Sequence, residues 1–173
     1  GDADQVGHQA DTVTARVPAT IAAFWNTFRA TLASDPTPHF REAFYFADTE
    51  AVANELAALV LAGTKRATAG LLWSYEAEGE TFPRPGELSV MTDWHGTPLG
   101  VIETTTVDVV AFEDVSAEFA ATEGEGDGSL RCWREVHWDF FCRECRAIGR
   151  TPEQRMPVVC ERFALVHPAA GGG

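Results

Sequence analysis

The sequence predicts an α+β fold in which amphipathic helices accompany a sheet. Apolar residues recur at helical spacing after Pro18, and a longer helical pattern covers residues 129–148. β-Branched residues crowd the segment 99–110, and an apolar strand pattern covers 158–166. With 173 residues and 45% hydrophobic content, the chain is long enough to bury one sizeable core.

The chain is expected to form one domain over residues 17–168. Residues 1–16 are polar and aperiodic and are predicted to be disordered, and 169–173 are predicted to form a flexible tail. The N-terminus lacks the basic and apolar stretches of a signal peptide, and no apolar run is long enough to cross a bilayer. A soluble, cytoplasmic protein without a membrane partner is therefore expected, in an oligomeric state that the sequence leaves open.

Two helices and a hairpin are predicted in the first two thirds of the chain. An N-terminal accessory helix spans 17–34, because apolar residues recur there at helical spacing. A second helix begins near Asp48, which can cap it, and ends at Gly63. The alternating segment 87–92, a turn and the β-branched segment that follows then form a hairpin.

Two more helices and a closing strand are predicted in the last third. A short helix over 115–121 is followed by a loop, 123–128, that is rich in glycine and acid. Ser129 then caps a long helix that continues to about Ile148. The strand over 158–166 closes the sheet.

The net charge of −13 makes indiscriminate binding to duplex DNA or RNA unexpected, because such binding depends on neutralising phosphates. The positive charge is unevenly distributed, since seven of the twelve arginines lie between Arg131 and Arg162. A small anionic or neutral ligand fits this composition better than a long polyanion.

The four cysteines are predicted to be thiols, and no cofactor is expected. Cys142 and Cys145 form a Cys-x-x-Cys, but inside a helical pattern and without a second pair to complete a zinc or redox site. A divalent metal ion is left open, because Glu125 and Asp127 offer two of its possible ligands.

Lys65 is the only lysine among thirteen basic residues. A retained lysine suggests a site that needs an ammonium group or an amine able to lose its proton, although chance explains it as well. Thr68 follows three residues later, and a turn-like or helical backbone would bring the two side chains together, whereas a strand would separate them. If they meet, neutral Lys65 can accept the Thr68 hydroxyl proton; a simple surface turn is the alternative.

A family resemblance supports the functional interpretation. Residues 63–68, Gly-Thr-Lys-Arg-Ala-Thr, resemble the Gly-x-Lys-x-x-Thr signature of the ASCH family, and they follow a predicted helix as they do there. Segments 67–73, 123–127, 133–137 and 157–163 are similar to motifs of its longer bacterial members. The likeness covers roughly 40–166, almost the whole predicted globule.

The resemblance implies a PUA-like β-barrel of mixed strands flanked by helices, with a cleft for RNA or nucleosides. One branch of the family hydrolyses the amide of N4-acetylcytidine with a threonine, a lysine and a glutamate, and other members are reported to cleave RNA. By motif position these catalytic residues correspond to Thr68, Lys65 and Glu123. Glu123 can also be explained as part of a solvated acidic turn.

One departure concerns Gly70, where the signature often has an arginine. Arg66, Arg131 or Arg134 are expected to replace that anion contact, although the last two also fit a solvated helix face. The remaining candidates for substrate binding are Trp73, Tyr75, Ser129 and His137. The aromatic residues can equally be packing groups, and His137 a hydrogen-bonded core histidine.

Three functions are compatible with these residues. The first is a hydrolase of an acylated nucleoside or small amine, with Thr68 as nucleophile, Lys65 as base and Glu123 as proton shuttle or orienter. The second is a binder or nuclease of short single-stranded RNA in the same cleft, with Arg131 and Arg134. The third is a ligand-sensing module without catalysis.

Overall fold

A computed structural model describes residues 17–168 of the chain. Within them, the α-helices are α1 (Ala22–Arg29), α2 (Glu50–Leu61), α3 (Leu72–Glu78), α4 (Ala117–Glu123) and α5 (Leu130–Ala147). The strands are β1 (Phe40–Phe44), β2 (Ala67–Leu71), β3 (Leu88–Thr92), β4 (Pro98–Ala111) and β5 (Pro157–His167). None of the helices in this described part combines the length and apolar character needed to cross a membrane.

The strands form one mixed sheet in the order β1-β3-β4-β5-β2. The predicted hairpin is confirmed, since β3 and β4 pair antiparallel with Val90 opposite Val101. β1 pairs with β3 in parallel, and β2 pairs with β5 antiparallel. This α+β architecture, a mixed sheet flanked by helices, is the predicted fold class.

By its internal contacts the chain divides into two units. The first comprises the described residues up to Ala57, then Gly86–Glu103 and the residues from Leu165 onward. The apolar stripe of α1 and the strands of this unit bury a common core of Ile21, Trp25, Phe28, Phe40, Leu88, Val90 and Val101. The apolar face of α1 is therefore a packing face of this unit.

The second unit comprises Ala58–Pro85 and Thr104–Ala164. Its core brings β2, α4, α5 and β5 together around Ala67, Leu71, Phe112, Val115, Phe119, Ala120, Trp133, Phe141, Cys145, Met156, Val158 and Cys160. All four cysteines are free thiols, and burial raises the pKa of Cys160 to about 12. The single-domain boundaries stay a prediction, and the end segments 1–16 and 169–173 lie outside the described residues.

Several helix ends follow the capping residues that the sequence contains. Ser129 caps α5, because its hydroxyl accepts a hydrogen bond from the Cys132 amide at 3.1 Å. Gly63 follows α2 with a φ of 80°, and its amide donates to the Val60 carbonyl. The start of α2 differs slightly from the prediction, since the helix begins at Glu50 and the Thr49 hydroxyl accepts from the Val52 amide.

Two short elements escaped the sequence patterns. β1 carries Arg41 and Glu42 in its middle, and its partner β3 lies more than forty residues away, so local alternation does not reveal it. The seven residues of α3 follow β2 without a break or a side-chain cap. The accessory helix is also shorter than predicted, because a 3₁₀ turn over Ala19–Ile21 precedes α1, which ends at Arg29.

Gly124 and Gly128 provide a matched pair of substitutions. Both have positive φ, but an added Cβ at Gly124 would clash with the Thr64 carbonyl oxygen, whereas one at Gly128 meets nothing within 4 Å. We expect Gly128→Ala to lower the free energy of unfolding by about 1–2 kcal/mol through backbone strain alone. Gly124→Ala should cost clearly more, because the backbone must also move. Equal losses in urea titrations would contradict this packing of α4.

Candidate functional site

Lys65 points into the second unit from a backbone that is fixed on both sides. After Gly63 ends α2, the Lys65 amide donates to the Leu59 carbonyl at 3.1 Å. The following amide, that of Arg66, donates to the Thr122 carbonyl at 2.9 Å, in the last turn of α4. The lysine is only 1% exposed, so its charge needs partners from the protein itself.

Three oxygen acceptors surround the Lys65 ammonium. Its Nζ lies 2.6 Å from the Ala67 carbonyl oxygen, 3.0 Å from Glu125 Oε2 and 3.3 Å from Glu123 Oε1. Both carboxylates are ion-pair partners of the amine. The predicted role of Lys65 as a base stays a prediction.

Glu123 is held from its other side by two residues of α5. Trp133 Nε1 donates to Glu123 Oε2, and His137 Nε2 lies 3.3 Å from the same oxygen. His137 Nδ1 lies 2.9 Å from the Trp133 carbonyl oxygen, so both ring nitrogens face acceptors. The indole and imidazole rings stack with their centroids 4.2 Å apart. We call Lys65, Glu123, Glu125, Trp133 and His137 the lysine network.

The pKa values of the titratable groups in the lysine network are shifted in different directions. Burial raises the pKa of Glu123, but the Lys65 ammonium and His137 outweigh it and lower that pKa to about 2. Burial together with the charge of Glu123 raises the pKa of Glu125 despite the Lys65 ammonium. Burial opposes a charged His137, but the hydrogen bond and charge of Glu123 raise its pKa. Glu123 is thus the persistent anion, and Glu125 is the more easily protonated carboxylate.

Within residues 17–168, Glu123, Glu125 and His137 are the group that could share a metal ion. Their ligand atoms lie within 4.8 Å of one another. The Lys65 ammonium already contacts both glutamates, so a divalent ion would have to compete with an internal cation. Asp127, the other acidic residue considered for such a site, accepts from the Ser129 amide instead. The expectation that no cofactor is needed stays a prediction.

Thr68 lies on strand β2, and its backbone is extended rather than turn-like. Thr68 is the direct antiparallel partner of Glu161 on β5, so the two side chains share a face of the sheet. Thr104 on β4 donates to Glu161 Oε2 at 2.6 Å. The half-buried threonine therefore shares its face of the sheet with a carboxylate.

The lack of a side chain at Gly70 leaves room for the Tyr75 ring over the same strand. An added Cβ at Gly70 would lie 3.1 Å from Tyr75 Cε2 and 3.2 Å from Tyr75 Oη. Residues two apart in a strand point the same way, so the tyrosine covers the face that carries the Thr68 side chain. An arginine at position 70 would have to displace this ring, and Tyr75 occupies the space where the signature often has an arginine.

The other predicted binding residues are dispersed over the second unit. The Arg150 guanidinium lies 4.4 Å from the Trp73 ring centroid, and Ser129 is engaged as a helix cap. Arg66 is exposed, and the 90% exposed side chain of Arg131 contacts Glu135 at 3.5 Å. Of these candidates, the structure brings Lys65, Glu123 and His137 into one network.

Arg134 lines a shallow groove on α5. The groove has a volume of about 280 Å³ and also contains Phe112, Glu135, Trp138 and Gln154. Arg134 Nη2 lies 3.4 Å from the Glu113 carbonyl oxygen. The groove thus combines one arginine with two aromatic residues in its lining.

The sequence interpretation missed Glu161 and Thr104 as candidates and assigned Trp133 only to the core. Trp133 is buried as predicted, but its indole also holds Glu123. Glu161 had one detectable signal, since it is an acidic residue inside the apolar strand Pro157–His167. Thr104 had none, because β-branched residues surround it on β4.

The Lys65–Glu123 ion pair predicts strong coupling between two substitutions. Lys65→Met should lower the free energy of unfolding by about 3–5 kcal/mol, because it leaves Glu123 buried without its cation. Adding Glu123→Gln should restore part of that loss, since the amide carries no charge. Arg131→Met, at a 90% exposed side chain, is the control and should change stability by less than about 0.5 kcal/mol. Additive losses in urea titrations would contradict the coupling.

The lowered pKa of Glu123 also predicts a pH dependence. Its contribution to stability is fully present above the unfolded value of 4.5 and is lost as the pH falls toward about 2. The stability difference between the wild type and Glu123→Gln should therefore shrink over this window. Chemical denaturation at several pH values measures it, and a constant difference would contradict the assignment of Glu123 as the persistent anion.

Comparison with known proteins assigns the chain to a family. The ASCH domain model matches residues 42–167. An ASCH domain structure from Lactobacillus crispatus JV V101 is 38% identical, with a TM-score of 0.80, and the match covers 85% of this chain and 94% of that one. A structure of a protein from Enterococcus faecalis V583 is 28% identical, with a TM-score of 0.75 and coverage of 87% and 90%.

None of the curated proteins matches the chain. The solved structures share its α+β, PUA-like architecture over most of their length, in agreement with the predicted fold class. The family model alone spans well over half of the chain and includes Lys65, Thr68 and Glu123. The chain belongs to the ASCH domain family.

Proposed function

We propose that this ASCH protein hydrolyses the amide of an acylated nucleoside of the N4-acylcytidine type, with Thr68 as the nucleophile. One observation carries the proposal. The signature lysine is held as a buried cation whose Nζ donates to the carbonyl oxygen of Ala67, the residue before Thr68. The lysine is thereby tied to the backbone of the residue before the half-buried threonine, and acyl transfer uses a cation together with a nucleophilic hydroxyl.

Lys65 has an electrostatic role in this proposal. When a hydroxyl attacks an amide carbonyl, negative charge develops on the carbonyl oxygen, and a preorganised cation stabilises it. Glu123 contacts and orients the ammonium, while Trp133 and His137 hold Glu123 in place. The network therefore positions a cation, and the proton of Thr68 passes to another group.

Glu125 controls access to this cation. Lys65 is almost completely covered, whereas the side chain of Glu125 is 21% exposed. Glu125 lies between Gly124 and Gly126, both with positive φ, and it is the more easily protonated of the two glutamates. A substrate carbonyl that replaces the Glu125 oxygen would take over one of the acceptor positions around Nζ. The acylated base is the group expected to do so.

The charge of the protein favours a small substrate over a long RNA. A chain with a net charge of −13 repels an extended polyanion at a distance, whereas a nucleoside carries no phosphate. The four acidic side chains at Glu118, Glu123, Glu125 and Asp127 are within or beside α4, close in sequence to the site. The negative charge of the protein is therefore compatible with a nucleoside or a short oligonucleotide as the partner.

Turnover of N4-acetylcytidine tests the proposal. The purified protein is incubated with a panel of acylated nucleosides and short RNAs, and the products are followed by mass spectrometry. We expect release of the amine and the carboxylic acid, with a loss of at least about 100-fold in kcat/KM for Thr68→Val. Thr105→Val, at an exposed position of β4, is the matched control and should remain active.

Unchanged turnover in Thr68→Val would exclude Thr68 as the nucleophile. Absence of turnover throughout the panel would exclude the hydrolase, and ligand binding without turnover would identify a sensing module.

Binding of short single-stranded RNA is the second candidate. The groove on α5 supports it, because Arg134 and Trp138 line it and the largely exposed Arg131 lies on the same helix. Arginine can hold a phosphate while an aromatic ring stacks on a base. The same panel contains short RNAs, so their cleavage or retention would identify this function.

A further inference from the structure

A second polar cluster occupies one face of the sheet in the second unit. Glu161 and Thr104 are 8% and 3% exposed, and the Thr104 hydroxyl holds one carboxylate oxygen of Glu161. Thr68 faces Glu161 across the β2–β5 pair, and Tyr75 covers the neighbouring position at Gly70. The cluster contains the proposed nucleophile but none of the residues of the lysine network.

A carboxylate in this position needs a physical reason. Glu161 lies between Cys160 and Arg162 on a strand whose residues Val158, Val159 and Cys160 are all buried. Taking a carboxyl group out of water is costly unless polar groups surround it, and an apolar residue would fill this place at less cost. The acid lies on the face that carries Thr68, where it can take part in the chemistry of that hydroxyl.

The register of the sheet brings the two side chains within reach. Thr68 and Glu161 are direct partners in the antiparallel pair, so their Cβ atoms are roughly 4.5–5.5 Å apart. A glutamate carboxylate spans that gap to a threonine hydroxyl on the same face. Thr104 fixes Glu161 Oε2 at 2.6 Å, which limits the rotation of the carboxylate.

We infer that Glu161 is the general base that accepts the proton of Thr68 Oγ1, and that Thr104 is the positioning residue of this carboxylate. The inference rests on the proposed function, and it adds a proton acceptor on the face of the sheet that carries Thr68. The amine of Lys65 is engaged with the Ala67 carbonyl oxygen and with two carboxylates.

The reaction balances with water as the only co-reactant. Thr68 Oγ1 forms a bond to the acyl carbon while its proton passes to Glu161, and the carbonyl electron pair moves to the oxygen beside the Lys65 ammonium. When that electron pair returns, the carbon–nitrogen bond breaks, and the proton on Glu161 passes to the leaving amine. Water then attacks the threonine ester, gives a proton to Glu161 and releases the carboxylic acid, and that proton returns to Thr68 Oγ1.

Labelling with 4-nitrophenyl acetate tests the inference without the nucleoside. Wild-type protein is quenched with acid at intervals, and acetylation is mapped to the Thr68 peptide by mass spectrometry. We expect Glu161→Gln to slow the labelling of Thr68 by about 100-fold or more, the effect of removing a general base. The glutamine still accepts the Thr104 hydrogen bond, so thermal melting should confirm that the variant is folded. Glu118→Gln, with a 70% exposed side chain, is the control and should label like the wild type.

Thr104 has its own pair of variants. Thr104→Val removes the hydroxyl and should slow the labelling, whereas Thr104→Ser keeps the hydroxyl and should restore the wild-type rate. A merely structural role of Thr104 would not distinguish them in this way.

The outcomes separate the inference from the function on which it rests. Equal labelling of Thr68 in the wild type and Glu161→Gln overturns the role of Glu161, and hydrolysis of the nucleoside that still depends on Thr68 would leave the proposed function intact. No labelling of Thr68 in folded wild-type protein overturns the inference as well. A third outcome is that Glu161→Gln labels slowly but the wild type does not hydrolyse the nucleoside. This outcome supports an activated threonine and contradicts only the choice of substrate.

Discussion

The buried ion pair between Lys65 and Glu123 is the interaction on which the site depends. Each residue is only 1% exposed, so both charges have lost their water. Such a pair is tolerated only when further polar groups satisfy it. Here the Ala67 carbonyl and Glu125 accept hydrogen bonds from the Lys65 ammonium, and Trp133 and His137 contact the Glu123 carboxylate. The start of β2, the end of α4 and the first turns of α5 are held together through these contacts.

Glycine at position 124 allows the end of α4 to pack closely against the segment before β2. The C-terminal end of α4 approaches the backbone at Thr64 so closely that any Cβ on residue 124 would clash with the Thr64 carbonyl oxygen. A Cβ at Gly126 would likewise lie 2.6 Å from Cys132 Sγ, so the acidic loop is packed on a second side. The segment that could be explained as a solvated acidic turn is therefore in close backbone contact with Thr64, and it places Glu125 beside Lys65.

The sequence predicts what depends on local chemistry. The caps at Gly63 and Ser129 and the hairpin of β3 and β4 are encoded within a few residues, and they are found as predicted. The family motif identified Lys65 and Glu123, which lie 3.3 Å apart although they are 58 residues apart in sequence. The strand β1 was missed because its partner is distant in sequence, and pairing rather than propensity makes it a strand.

The relation of Thr68 to its neighbours was beyond sequence reasoning for the same reason. Whether it faces Lys65 or Glu161 is decided by the pairing of β2 with β5, and nothing in the six-residue motif states that pairing. The spacing of three suggested a turn because helical neighbours lie three or four apart. An extended backbone changes the direction of the side chain, and with it the residue that the hydroxyl meets.

The chemistry of the site is thereby tied to the packing of the core. Ala67 and Leu71 of β2 are buried among the aromatic residues of α4 and α5, and this fixes which face of the strand Thr68 presents. A slip of one residue between β2 and β5 would expose those side chains and turn Thr68 away from Glu161. The register that buries the core therefore also sets the hydroxyl opposite a carboxylate. The amine before β2 and the carboxylate opposite it are thus held by separate sets of partners, the Ala67 carbonyl for one and Thr104 for the other.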